Sequence, residues 1–124
     1  KMVQGLADSG KAVLLITQDL ETAWQTADRI AVFCGGTLVE VVNKAGFSGV
    51  DSFAHPYTRI LWQALPVNGF EAGSGGGHGY NPNDEPKWKG CMFVDGCERA
   101  GTRCRMEFPD LIPYQNGLVR CLNA

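Results

Sequence analysis

Four of the five cysteines, Cys91, Cys97, Cys104 and Cys121, fall in the last 34 residues, separated by five, six and sixteen residues. Four thiolates converging from irregular backbone satisfy either tetrahedral zinc or an iron–sulfur cube. Structural zinc is usually gripped by pairs two to four residues apart, and no such pair occurs; the wider gaps suit a cluster, whose irons are separate corners reached from several directions. Clustered cysteines without an export signal favour ligation over disulfides. Lys87, Lys89, Arg99, Arg103 and Arg105 flank the first three, opposed by Asp95 and Glu98. Such cations offset thiolate charge, the plain alternative being a solvated basic face. Cys34, in apolar strand-like company, reads as a small buried hydrophobe. His55, just before Pro56, reads as a capping or packing residue and His78, in a glycine run, as a solvated one, neither of them a ligand. Trp24, Trp62 and Trp88 could stack on a base, but the helical spacing around Trp24 and Trp62 favours core packing.

The elements that must position these residues are short. A chain of 124 residues allows one modest core, and 16 glycines point to loops. The net charge of −2 offers no footprint for nucleic acid. No apolar run is long enough to span a bilayer and no signal peptide is legible, so a cytoplasmic location is expected. Lys1 sits inside a helix-like pattern, as an internal boundary would.

Val3, Leu6 and Ala7 predict a helix closed by Gly10. Ala12 to Thr17 (AVLLIT) predicts a strand buried on both faces of a parallel sheet. Asp19 or Thr17 then caps a helix through Leu20, Ala23, Trp24 and Ala27, and Arg29 to Phe33 is the next strand, completing a βαβ pattern. Gly35-Gly36 turns it back into Thr37 to Val42. Residues 43–55 read as a loop, followed by an amphipathic helix at 56–65, with Pro56 in its first turn and Pro66 beyond its end. Gly73 to Gly79 predicts a flexible linker. The segment from Trp88 to Cys121 shows no period and needs a cross-link to hold it.

The run LLITQDLETAWQTADRIAVFCGGTLVE resembles the end of an ABC ATPase domain, where a buried strand leads into a Thr-His-Asp-Leu switch loop, a helix, Ala-Asp-Arg-Ile and a hairpin. His55-Pro56-Tyr57-Thr58-Arg59 with Leu65-Pro66 is similar to the signature in the C-terminal extension of oligopeptide, dipeptide and nickel transporter ATPases. Gly90-Cys91, Cys97, Cys104, Pro109, Leu111 and Cys121 follow that family's cysteine-rich tail.

The resemblance implies an α/β fold: the terminal βαβ and β-hairpin piece of a P-loop ABC ATPase domain (1–46), a connector with the helix and glycine linker (47–80), and an irregular tail stapled by a metal cluster (81–124). It implies a [4Fe-4S] cluster on Cys91, Cys97, Cys104 and Cys121, with zinc as the alternative. The parent is expected to energise an importer of peptides, nickel or metal chelates from the inner face of the membrane. Its partners would be a second ATPase subunit, in a heterodimer, and membrane permease subunits, with no direct membrane insertion. ATP and Mg belong to the complete parent, because this stretch lacks the phosphate-binding loop, signature and acidic strand and is expected to be inactive alone. The switch-loop histidine is replaced by Gln18, which donates a hydrogen bond but cannot take up a proton, as in a degenerate nucleotide site or, equally, as a tolerated variant in an active one. The reading from another class is a free-standing iron–sulfur or zinc-stabilised redox or interaction module.

Overall fold

The Gly35-Gly36 pair makes a tight turn, with φ of 56° and 79°, a left-handed pair that only glycine adopts without strain. It joins β1 (Arg29–Cys34) to β2 (Thr37–Asn43) in an antiparallel hairpin that runs from Arg29 opposite Asn43 to Cys34 opposite Thr37. The computed structural model describes residues 2–65 and 89–124. The expected glycine linker, Pro66, His78, Lys87 and Trp88 lie outside them.

In β1, Ile30 and Val32 are buried while Arg29, Ala31 and Phe33 face out, the two-residue alternation of a half-covered strand. β2 is buried over four consecutive residues, Val39–Val42, because it is a central strand. Its second neighbour is β4 (Gly117–Val119), itself paired to β3 (Ile112–Tyr114), giving the antiparallel order β1-β2-β4-β3.

Helix α2 (Leu20–Thr26) starts where Asp19 accepts the Glu21 N–H at 3.0 Å and the Thr22 hydroxyl at 2.6 Å. It lays Leu20, Ala23 and Trp24 against Ile30, Val32 and Val39, and Tyr57 and Leu61 of α3 (Pro56–Gln63) join the same core. Trp24, Phe47, Phe53 and Trp62 interlock with ring centroids 4.3 to 6.2 Å apart, so both tryptophans pack as expected and bind the 3-10 turns at 44–46 and 50–52 to the two helices. Aromatic pairs at these distances and tilts are worth about 0.5–1.5 kcal/mol each beyond their buried area.

Two expectations are corrected. Ala12 to Thr17 is not a buried strand: it pairs with no strand, and Leu14 and Ile16 are each 89% exposed. A strand needs ladder partners, and none flanks this run among the described residues, so the βαβ pattern is not formed and the sheet is wholly antiparallel. The tail is also less irregular than expected. Besides α4 (Thr102–Met106), it supplies β3 and β4, which extend the sheet begun by the hairpin. Ahead of these, helix α1 (Met2–Asp8) ends as expected before Gly10, with no buried residue.

Candidate metal centre

Cys91, Cys97, Cys104 and Cys121 line one cavity of about 290 Å³, counting its open mouth, together with His55, Pro56 and Asn123. Each sulfur arrives on a different piece of backbone. Gly90 lies so close to the carbonyl of Cys104 and the backbone of Arg105 that any side chain there would collide with them, and this contact allows the Cys91 N–H to reach the Cys104 carbonyl at 2.7 Å. Cys97 follows the 3-10 turn at 94–96, Cys104 is buried in α4, and Cys121 comes two residues after β4 ends. Cys91 and Cys104 are therefore pinned to each other directly, and Cys121 is placed by the sheet.

The sulfurs are served by N–H donors in a repeating pattern. The backbone N–H of Phe93 points at Cys91, that of Arg99 at Cys97, and that of Asn123 at Cys121 at 3.4 Å, each two residues downstream of its cysteine. The Asn123 side chain donates to Cys104 Sγ at 3.4 Å and to the Arg99 carbonyl at 2.7 Å. Such donors favour the thiolate, the form that ligates metals. Burial, and then the neighbouring sulfurs, hold the Cys91 and Cys97 thiols above the usual range against those donors.

Among the described residues, no group of three or more His, Cys, Asp or Glu side chains is drawn in closely enough to hold a metal ion as it stands. The expected set Cys91, Cys97, Cys104 and Cys121 shares one cavity; zinc would need four sulfurs about 2.3 Å from one point, and an iron–sulfur cube would take them at separate corners.

The flanking cations do less for the sulfurs than their number suggests. Arg103 forms a bidentate pair with Glu107 at 2.9 Å, and Arg105 pairs with Asp95 at 3.0 Å, both at the surface. Arg99 is the one whose charge favours the Cys97 thiolate. Cys34 is half-buried beside the core, and burial, followed by the nearness of Cys91, raises its thiol to about 11. Gln18 is exposed in the bend before Asp19.

His55 was legible as a cap but not as part of the site. Its Nδ1 accepts the Tyr57 N–H at 3.1 Å, while the ring is 1% exposed, tilted against Phe93 at 6.2 Å, and lines the cysteine cavity. Burial lowers its pKa to about 4, so the imidazole is neutral near pH 7. Its position is set by Glu40, a buried carboxylate on β2 that accepts the Ala54 N–H at 2.7 Å and the His55 N–H at 3.0 Å. Burial raises the Glu40 carboxyl, opposed by those two donors. Arg59 Nε donates to the Phe53 carbonyl at 2.7 Å and closes the knot. The only hint in the sequence was a lone Glu inside the apolar run TLVEVV.

Residues 39–104 match the family described as oligopeptide/dipeptide transporter, C-terminal region, and the chain belongs to that family. The match runs from the central strand through the Glu40 and His55 knot to the third cysteine of the cavity. The chain is 34% identical over 116 residues to the oligopeptide transport ATP-binding protein AppD of Bacillus subtilis, covering 89% of this chain and 34% of that protein. It is 32% identical over 107 residues to the dipeptide transport ATP-binding protein DppD of Escherichia coli, covering 86% of this chain and 32% of that protein. The chain spans about a third of the length of these relatives. Among the described residues no helix is long and apolar enough to cross a membrane.

Proposed function

We propose that this chain is the C-terminal part of the ATP-binding subunit of an ABC importer for peptides, and that Cys91, Cys97, Cys104 and Cys121 hold a [4Fe-4S] cluster that fastens the tail to the sheet. The observation that supports the second half is the convergence of four sulfurs on one cavity, with Asn123 donating to two of them, Cys121 and Cys104. The peptide cargo is supported by the names of the relatives, oligopeptide and dipeptide transport ATP-binding proteins, which lend no support to nickel or metal chelates. In the complete protein the chain would work beside a second ATPase subunit and the permease, on the inner face of the membrane. The cluster, when bound, supplies a cross-link and an electron-accepting centre; the chain's residues orient and shield it.

Anaerobic purification of the full chain tests this directly. Brown protein with iron, acid-labile sulfide and absorbance near 400 nm is the expected result, lost on changing any one of the four cysteines to serine. Colourless protein carrying stoichiometric zinc, or no metal after reconstitution with iron and sulfide, would overturn it. At the other end of the chain, Gln18 cannot carry the proton that an imidazole takes up, and we assign it to a nucleotide site of reduced turnover. Changing Gln18→His in the complete transporter should raise ATP hydrolysis; unchanged hydrolysis sinks that assignment.

A further inference from the structure

The ring of His55 has one nitrogen accounted for and one not. Nδ1 accepts the backbone N–H of Tyr57, so it carries no hydrogen, and the proton of the neutral ring sits on Nε2. Nε2–H is therefore a donor. It is buried, it has no hydrogen-bond partner among the described residues, and its ring lines the cavity that the four cysteines share. A buried donor without an acceptor is costly, and native proteins keep very few of them. Here the tautomer is set by the helix cap, and the cap is held by the two backbone bonds to Glu40, so the ring cannot easily turn away. The acceptors that would stand before it are the sulfurs of whatever the cysteines bind.

We infer that His55 donates its Nε2–H to a sulfur of the group held by Cys91, Cys97, Cys104 and Cys121, and thereby raises that group's reduction potential. The inference rests on the cluster reading above. Its physical basis is simple: the reduced form carries one more negative charge than the oxidised form, and a fixed N–H dipole aimed at sulfur stabilises the more negative form more. His55 is thus a positioning and tuning residue and not a ligand.

Two substitutions separate the roles of the ring. His55→Asn places an amide oxygen where Nδ1 accepts the Tyr57 N–H, keeping the cap, but has no atom at the Nε2 position. His55→Gln places an amide N–H near the Nε2 position and gives up the cap. In the reconstituted full chain, the potential measured by dye-mediated titration should fall in His55→Asn and stay near the unaltered value in His55→Gln. Unchanged potential in His55→Asn, or an equal fall in both, overturns the inference, since packing alone would then account for the ring. Because the chain has two histidines, isotopically labelled histidine in a His78→Asn background gives a reading without altering the ring. Nitrogen hyperfine coupling to the reduced centre is expected, and its absence overturns the inference even if a His55 variant fails to load. Failure of the unaltered chain to take up iron would instead remove the cluster reading and this inference with it, a result distinguishable from iron uptake with an indifferent His55.

Discussion

Glu40 is the residue on which the site's geometry turns. Its carboxylate receives two consecutive buried amides, and leaving a buried donor without its partner costs about 1–3 kcal/mol each. Glu40→Ala should therefore lower stability by about 2–6 kcal/mol, read as a drop in the urea midpoint. His55 adds a pH signature. Its folded pKa of about 4 lies below the ordinary histidine value of 6.5, so its contribution is intact above pH 6.5 and is lost as pH falls towards 4. In the metal-free chain the loss should be on the order of 3 kcal/mol, and should vanish in His55→Asn. Glu40, raised by burial, works in the opposite sense, contributing at low pH and losing that contribution as pH rises through its folded value. Because Glu40 is common to both proteins, the difference between their pH profiles isolates His55. Gly90→Ala should part Cys91 from Cys104 and reduce iron uptake severalfold, measured as iron per chain. The cysteines and the cap were legible as residue types at characteristic positions. Glu40 and the second role of His55 were not, since both depend on contacts 14 or 15 residues apart across a fold that local patterns do not encode.

Among the elements, β4 links packing to the site most directly. Val119 is fully buried opposite Glu40 and Ile112, and Cys121 follows two residues later. Val119→Ala should cost about 1–3 kcal/mol and expose Cys121 to faster alkylation, followed by mass spectrometry. Hairpin β1–β2, the Asp19-capped helix and the helix begun by Pro56 could all be read from turn glycines, caps and helical spacing. β3 and β4 could not: at three residues each they are too short to show alternation, and Pro113 argues against a strand unless it lies at an edge, which is where β3 sits. The run from Ala12 to Thr17 failed for the complementary reason. Its composition is right for a central strand, but composition describes what a segment could bury, and burial needs neighbours.

At the scale of the whole molecule, that run leaves Leu14 and Ile16 almost fully in water beside half-exposed Val13 and Leu15. Contiguous apolar surface of this kind drives association. The 124-residue chain should self-associate with rising concentration, and Leu14→Lys combined with Ile16→Lys should return it to a monomer in light scattering. The sheet order also carries a consequence for how the molecule is built. Cys91, Cys97 and Cys104 leave the ribosome before β3 and β4 exist, whereas Cys121 reaches its sulfur neighbours once that second hairpin has docked along the first. Translation runs from one end, so the fourfold sulfur setting is incomplete until that second hairpin has emerged and docked, and any inorganic guest that needs all four corners must wait for it.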